Sequence, residues 1–163
     1  MTQTTGSHYL TFRLGEELFA LDITRVREVL DCAGITRVPH TPDFMRGVIN
    51  LRGSVVPVVD LRLKFGLEAA ERKTGSCIII VEVEVDGETI VLGAMADSVQ
   101  EVLELEPERI EPPPRIGTRL AVDFIRGMGR QDEEFIIILD FDQVFSFREL
   151  EAVKGEEETR EAV

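Results

Sequence analysis

The chain has 163 residues, of which 44% are hydrophobic, and its formal net charge is −13 at pH 7. This length suits one ordinary domain or two small lobes, and the apolar fraction is sufficient for a core. The acidic charge argues against binding to a nucleic-acid backbone or to an anionic membrane, because both require an excess of Lys and Arg.

Targeting and redox signals are also missing from the sequence. No apolar run approaches the roughly 20 residues that span a bilayer, and the polar start of the chain does not resemble a secretory signal. Cys32 and Cys77 have no metal-binding or redox spacing, so we expect two unpaired thiols in a reducing cytoplasm.

The first half of the chain predicts two β-hairpins. Residues 9–23 contain two short apolar stretches around Gly15, which is typical of a hairpin. Residues 23–30 favour a turn and a strand over a helix, because the segment is short and β-branched. Residues 41–47 predict a short helix, capped by Thr41, with Pro42 first and Gly47 at its exit. Residues 48–61 predict the second hairpin, and Pro57 places its returning strand at a sheet edge or barrel rim.

The second half repeats these elements after a polar linker at residues 66–76. Residues 77–85 and 89–96 predict strands on either side of a turn at residues 86–88. An insertion at residues 106–117 contains the proline run 112–114, which must be extended. A C-terminal helix is predicted from about Gln143, with Asp142 as its cap. For the acidic tail at 151–163 we favour a solvated end over a docking segment.

A repeat in the sequence connects the two halves. Residues 44–60 recur at 124–140 with an offset of 80 positions, and residues 24–30 recur at 97–103 with an offset of 73. Such self-similarity indicates two copies of one structural unit. Five short strands per copy close most easily as a small barrel, which hides its edges. We predict a mainly β fold with two five-stranded lobes, at about 9–65 and 77–147, and leave open an exchange of strands between them.

The sequence contains no constellation of catalytic residues. Its two histidines are His8 and His40, and zinc-protease, phosphate-loop and serine-hydrolase motifs are missing. Asp60 and Asp140 end equivalent strands; a catalytic acid pair is one interpretation, but capping of the following turn is favoured. We expect no metal and no cofactor.

Two features are candidates for binding a protein partner. Arg52 lies at a hairpin tip, where it is either solvated or held rigidly for a partner carboxylate. Val26 and Val29 correspond to Val99 and Val102 in the repeat. These valines are either core residues or the lining of an apolar seam between the lobes, which would suit a partner helix.

Several strings in the chain resemble the CheW family of bacterial chemotaxis coupling proteins. They are YLTFRLGEE at residues 9–17, VREV at 26–29, FMRGVINLRG at 44–53, VPVVDLR at 56–62 and VQEVL at 99–103. The resemblance extends from about residue 8 to about residue 150. It implies one domain of two SH3-like five-stranded barrels with short helical turns and a C-terminal helix.

The resemblance also implies a function. Members of this family are non-enzymatic adaptors that link the cytoplasmic helical hairpin of chemoreceptors to the regulatory domain of the chemotaxis histidine kinase. Arg52, Val26, Glu28 and Val102 match positions associated with receptor binding, and Val99 joins them as the counterpart of Val26. Kinase-binding residues are not assigned.

The same resemblance implies a cellular location, and two alternative functions stand beside the one it implies. The expected location is the cytoplasm, at receptor arrays that partners hold near the inner membrane. An adaptor of a non-flagellar sensory pathway is the alternative. An enzyme or an RNA-binding barrel is disfavoured, because the chain has no Trp and a charge of −13.

Overall fold

The structure of the protein is a computed structural model that describes residues 7–31, 34–39, 44–64, 76–85, 87–112 and 125–144. Some predictions concern residues outside these ranges: Cys32, His40, the helix start at Thr41 and Pro42, most of the linker, Pro113 and Pro114, the C-terminal helix beyond Val144, and the acidic tail. No helix in the described ranges is long and apolar enough to cross a bilayer.

The described residues form ten strands and two one-turn helices. The strands are β1 (Ser7–Leu14), β2 (Glu17–Asp22), β3 (Val26–Asp31), β4 (Met45–Leu51), β5 (Ser54–Asp60), β6 (Cys77–Val85), β7 (Glu88–Ala96), β8 (Ser98–Leu105), β9 (Ile125–Gln131) and β10 (Glu134–Leu139). The helices are α1 (Leu61–Lys64) and α2 (Phe141–Val144), and 3₁₀ turns lie at Ile23–Arg25 and Pro107–Arg109. The three predicted hairpins are confirmed as β1–β2, β4–β5 and β6–β7.

The strands form two five-stranded sheets, and each sheet closes into a small barrel. The first barrel has the order β8-β1-β2-β10-β9, and the second has the order β3-β6-β7-β5-β4. In the second barrel, Thr36 follows edge strand β3 and exchanges two backbone hydrogen bonds of 2.8 Å with Val48 on the opposite edge strand. Glu111 and Met128 close the first barrel with two bonds of the same length. The predicted pair of five-stranded barrels is therefore confirmed.

Each barrel combines strands from both halves of the chain. The first barrel takes the β1–β2 hairpin from the first half and β8, β9 and β10 from the second. The second barrel takes the β6–β7 hairpin from the second half and β3, β4 and β5 from the first. The halves meet in two parallel pairs, β2 with β10 and β5 with β7. Neither half therefore completes a barrel by itself.

The largest apolar cluster, which we call the inter-barrel core, lies between the two exchanged hairpins. In β1, Tyr9 faces the core of the first barrel and Leu10 faces the inter-barrel core. In β6, Ile78 faces the core of the second barrel and Ile79 faces the inter-barrel core. Because successive strand residues point to opposite faces, a strand that is buried on both faces has a continuous apolar sequence. This explains the apolar sequence of β6.

The predicted short helix at residues 41–47 is wrong over its last three residues, which belong to strand β4. Gly47 was expected to end the helix, but a glycine is required here because a side chain would not fit. Its φ is +147°, and a Cβ at this position would overlap the carbonyl oxygen of Thr36. Gly127 has the same role in the first barrel, where a Cβ would lie 2.9 Å from the carbonyl oxygen of Glu111. The repeated glycine therefore makes room for the bridge that closes each barrel.

The repeated aspartates are confirmed as helix caps. Oδ1 of Asp60 accepts a hydrogen bond of 2.9 Å from the backbone N–H two residues later, and Oδ1 of Asp140 does the same at 3.1 Å. The predicted cap at Asp142 and the predicted helix start near Gln143 are wrong. Helix α2 begins at Phe141, because Asp140 already satisfies the first free amide.

Of the two positions predicted for Pro57, a sheet edge or a barrel rim, the sheet edge is wrong, since β5 lies between β4 and β7. Two local features let the sheet accept proline here. Pairing of β5 with β7 begins one residue later, at Val58. Val48, which stands opposite Pro57, uses its own amide and carbonyl for the bridge to Thr36. The missing N–H of Pro57 therefore costs no ladder hydrogen bond.

Candidate functional site

Val26 and Val29 lie on the same face of β3, because the strand register shifts at Arg27. In a regular strand, residues three apart point to opposite faces. Here Val26 pairs with Val81 and Val29 pairs with Ile79, and both partners face the inter-barrel core. One extra residue in β3 resets the alternation, as a β-bulge does. Both valines therefore lie beside the inter-barrel core.

Strand β8 repeats this arrangement in the first barrel. Val99 pairs with Phe12 and Val102 pairs with Leu10, and both partners again belong to the inter-barrel core. Two residues of β8 stand opposite the single residue Thr11, which is a second bulge. The repeat therefore produces two valine pairs, one on each barrel, and both lie beside the same core.

Each valine pair has one anchored and one exposed member. Val26 and Val99 are partly buried against the inter-barrel core. Val29 is 42% exposed and Val102 is 49% exposed. Val26 and Val99 therefore lie partly in the core, and the interpretation of Val29 and Val102 as lining of an open seam stays a prediction. Val29 is one of the valines that the repeat singles out, but the family resemblance does not assign it to receptor binding; its match to Val102 at an offset of 73 is the signal that adds it.

Arg52 occupies the tip of the β4–β5 hairpin in a left-handed conformation. Arg52 and Gly53 have φ values of +51° and +90°, as a two-residue type I′ turn requires. The Asn50 side chain accepts a hydrogen bond of 2.8 Å from the Gly53 amide and braces the turn. The Arg52 side chain is 72% exposed. A rigid tip therefore presents this guanidinium to solvent.

The exposed guanidinium of Arg52 pairs with Glu28 on β3. Nη2 of Arg52 contacts Oε2 of Glu28, and Nη1 lies 3.3 Å from Oε1. Strands β3 and β4 are the two edges of the sheet, so this fork crosses the closure of the second barrel. The hydrogen bond from Arg52 lowers the pKa of the Glu28 carboxyl below its usual 4.5, because it favours the ionised form. The structure thus brings Arg52 next to Glu28 and the strand of Val26.

The first barrel lacks the residues for an equivalent ion pair. Asp132 occupies the place of Arg52 at an offset of 80, and Glu101 occupies the place of Glu28 at an offset of 73. Asp132 keeps the left-handed conformation, with φ of +57°, but two carboxylates repel each other. The valine faces of the two barrels therefore differ in charge.

Two carboxylates join the barrels. Asp97 Oδ2 accepts hydrogen bonds from the Gly15 amide at 2.6 Å and from Arg62 at 3.0 Å. These bonds connect the β1–β2 turn of the first barrel to α1 of the second.

Asp142 forms a second link between the barrels. Its Oδ2 lies 2.7 Å from Nη2 of Arg25, and its Oδ1 accepts the Glu84 amide at 2.8 Å. These contacts connect α2 of the first barrel to β6 of the second. Both links hold the barrels in one mutual orientation.

A small cleft next to α2 offers little room for a metabolite. Its volume is about 130 Å³, and it is lined by charged groups of both signs, including Asp22, Arg25, Arg126 and Asp142. Ligand pockets typically measure about 300–1,000 Å³. In the described part of the chain, no group of His, Cys, Asp and Glu side chains is arranged to hold a metal ion.

A family model described as "CheW-like domain" matches residues 8–149 of the chain. The chemotaxis protein CheW of Klebsiella aerogenes is 35% identical over 151 residues, which is 93% of this chain and 89% of that protein. The probable chemotaxis protein CheW of Rhizobium etli is 35% identical over 143 residues, which is 88% of this chain and 90% of that protein. Protein FrzA of Myxococcus xanthus is 32% identical over 147 residues, with 89% of each chain covered.

A solved structure is similar over nearly the same length. The crystal structure of the scaffolding protein TtCheW from Thermoanaerobacter tengcongensis superposes with a TM-score of 0.78 at 38% sequence identity. The match covers 88% of this chain and 90% of that one. Sequence and fold therefore agree on the same set of relatives.

Proposed function

The chain belongs to the family of CheW-like domains, and from this premise we propose that it is a chemotaxis scaffold that couples chemoreceptors to a histidine kinase. Its relatives are named as chemotaxis proteins, and a protein of the same fold is named as a scaffolding protein. A scaffold needs separate contact surfaces rather than a catalytic cavity, and two joined barrels supply them. The proposal includes a non-enzymatic role, a cytoplasmic location, and residues 8–150 as one functional unit.

The proposed receptor-binding face consists of Arg52, Glu28, Val26, Val99 and Val102, together with Val29. The observation that carries this assignment is the fork between Arg52 and Glu28, which joins an exposed cation to the strand that carries Val26 and Val29. A receptor hairpin is helical and binds through apolar residues at i, i+3, i+4 and i+7. Exposed valines suit such residues, and Arg52 suits a carboxylate beside them.

The regulatory domain of the histidine kinase is the second proposed partner, and it is expected to use a surface away from the valines. Separate surfaces allow receptor and kinase to bind at the same time. Individual contacts of micromolar strength, about −8 kcal/mol, become firm in an array through multivalency. A change in receptor packing then biases the kinase through the scaffold, with a typical coupling free energy of about 1–3 kcal/mol.

Substitution of Arg52 by Ala tests the receptor-binding face. Arg130 provides the matched control, because it is another exposed arginine beside a hairpin tip, where it stacks 4.8 Å from the centroid of Phe135. The chain is reconstituted with kinase and receptor fragment, and kinase activation is measured. Arg52→Ala should reduce activation roughly tenfold, as loss of an interface hot spot does, while Arg130→Ala should leave it unchanged. The thermal midpoint should change little, since exposed ion pairs contribute little to stability.

Two results would contradict this assignment of Arg52. One is full activation by the Arg52→Ala variant, and the other is an equal loss in both variants. The direct binding of each variant to the kinase provides a further check, because a variant that is merely misfolded would lose kinase binding as well.

A second candidate is a scaffold of a sensory pathway other than flagellar chemotaxis. The similarity to FrzA, which is not named as a chemotaxis protein CheW, supports it. A pull-down from the native cytosol distinguishes the two candidates. Identification of the co-purified histidine kinase, and of the pathway to which its response regulator belongs, decides between them.

A further inference from the structure

Thr11 is a fully buried polar residue in an otherwise apolar part of the first barrel. Its relative accessibility is 0%, and its strand partner Ala20 belongs to the core of that barrel. Burial of a hydroxyl is unfavourable unless the hydroxyl is hydrogen-bonded. A valine of almost the same shape would fill this space without that requirement, so the hydroxyl must serve a purpose other than packing.

Both hydrogen-bonding functions of the Thr11 hydroxyl are used by one residue. Oγ1 donates to the carbonyl oxygen of Glu101 at 2.8 Å and accepts from the Glu101 amide at 3.1 Å. Glu101 lies in the bulge of β8, where the register shifts between Leu10 and Phe12 of β1. A bulge interrupts the ladder and leaves backbone groups without partners. The Thr11 side chain takes the place of the missing ladder bonds.

This bulge decides which way the valines of β8 point. Val99 and Val102 are three residues apart, yet both lie opposite residues of the inter-barrel core. Without the bulge, one of them would turn to the opposite face of the strand. The contact that fixes the bulge therefore also fixes the pair of valines on the proposed receptor-binding face.

The second barrel has no hydroxyl at the position equivalent to Thr11. Leu103 of β8 corresponds to Leu30 of β3 in the repeat, at an offset of 73. Leu103 pairs with Tyr9 and Leu30 pairs with Ile78, so Tyr9 and Ile78 occupy equivalent places. This equivalence puts Ile80 in the place of Thr11, and an isoleucine has no hydroxyl. There the equivalent of Glu101 is Glu28, which Arg52 holds from the hairpin tip. The Arg52 contact is to the Glu28 carboxylate and not to its backbone, so the backbone contact that Thr11 makes at Glu101 has no counterpart at Ile80.

We propose that Thr11 is a positioning residue of the receptor-binding face, whose hydroxyl holds the β8 bulge and thereby sets the direction of Val99 and Val102. The expected effect of Thr11 on receptor binding rests on the proposed function. The hydrogen-bonding role of Thr11 does not depend on that function and can be measured without any partner.

The first experiment uses the unmodified protein and amide hydrogen exchange. The Glu101 amide should exchange as slowly as the ladder amides of β1 and β8 beside it. In Thr11→Val, which keeps the shape but loses both hydrogen bonds, exchange at Glu101 should be roughly tenfold faster, as expected for one lost net hydrogen bond. Thr11→Ser keeps the hydroxyl and should preserve the slow exchange.

The second experiment measures binding of each variant to a soluble receptor fragment that contains the helical-hairpin tip, and to the full-length kinase. Thr11→Val should weaken receptor binding roughly tenfold and leave kinase binding unchanged, and Thr11→Ser should restore receptor binding. Thr89→Val makes the same chemical change at an exposed position of β7 and should alter neither.

Specific outcomes would overturn the proposal. They are fast exchange of the Glu101 amide in the unmodified protein, slow exchange in Thr11→Val, equal receptor affinities of the Val and Ser variants, or equal losses of receptor and kinase binding. If the unmodified protein binds no receptor fragment, the proposed function fails instead. The exchange measurements would still decide whether Thr11 holds the bulge.

Discussion

At the scale of single residues, two glycines of the β4–β5 hairpin have positive φ for different reasons. Gly47 has a φ of +147° and lies where any Cβ would overlap the Thr36 carbonyl oxygen. Gly53 has a φ of +90° and has nothing within 4 Å of its virtual Cβ. The first glycine is required by contact with another segment, and the second only by turn conformation.

We therefore expect Gly47→Ala to destabilise the protein more than Gly53→Ala. Gly47→Ala should lower the free energy of unfolding by about 2–3 kcal/mol, because the added methyl group forces the barrel-closing bridge apart. Gly53→Ala should cost about 1 kcal/mol, the penalty of a left-handed non-glycine residue. Urea unfolding of both variants measures the difference. Equal losses would show that the Thr36 carbonyl moves away without cost.

At the scale of secondary-structure elements, an ion pair connects the β9–β10 hairpin to strand β1. Arg13 on β1 forms a fork with Glu134 at the beginning of β10, with Nη1–Oε2 and Nη2–Oε1 distances of 2.5 and 2.9 Å. The hydrogen bond from Arg13 lowers the pKa of the Glu134 carboxyl below its usual 4.5. Strand β2 lies between these two strands, so the fork spans three strands of the first barrel.

The lowered pKa predicts a pH dependence of stability with a definite sign. Because the folded-state pKa of Glu134 lies below its unfolded value, the stabilisation is complete above the usual pKa of 4.5 and is lost as pH falls through the folded value. Between about pH 6 and about pH 3, the unmodified protein should lose more stability than Glu134→Gln. Glu133→Gln, a change in the same turn, should behave like the unmodified protein. Identical pH profiles for all three chains would contradict the prediction.

At the scale of the whole molecule, exchanged hairpins and a shared core couple the two barrels. Ile79 is fully buried and belongs to the inter-barrel core rather than to either barrel core. Neither barrel can separate from the other without exposing this core. A single cooperative unfolding transition is expected for such an arrangement.

Two probes, one in each barrel, can test this coupling. Tyr9 is the only tyrosine of a chain without Trp, and its fluorescence reports on the first barrel, while the methyl NMR signal of Met95 reports on the second. Both probes should give the same urea midpoint. In Ile79→Ala both midpoints should fall together, with a loss of about 2–5 kcal/mol. Separate midpoints would show that the barrels unfold independently.

Local sequence patterns determined the elements of this protein and the number of its barrels. Turn residues such as Gly15 and Gly53 and the alternating or continuous apolar strands act over short distances, and the repeats at offsets of 80 and 73 show that such a set occurs twice. They predicted the hairpins, the five strands per half, and Asp60 and Asp140 as caps. The strings around Arg52 were also enough to identify the family.

Only the tertiary structure decided how these elements combine. Both hairpins that exchange between the barrels have the same local pattern, so sequence could not say which barrel each one joins. The predicted helix end at Gly47 was wrong because the contact that constrains this glycine comes from another segment. The bulges that turn Val29 and Val102 to the proposed receptor-binding face, the Arg52–Glu28 fork and the Thr11 contact all depend on the register between strands that are distant in sequence. That register is set by packing of the whole chain, which no short stretch of residues contains.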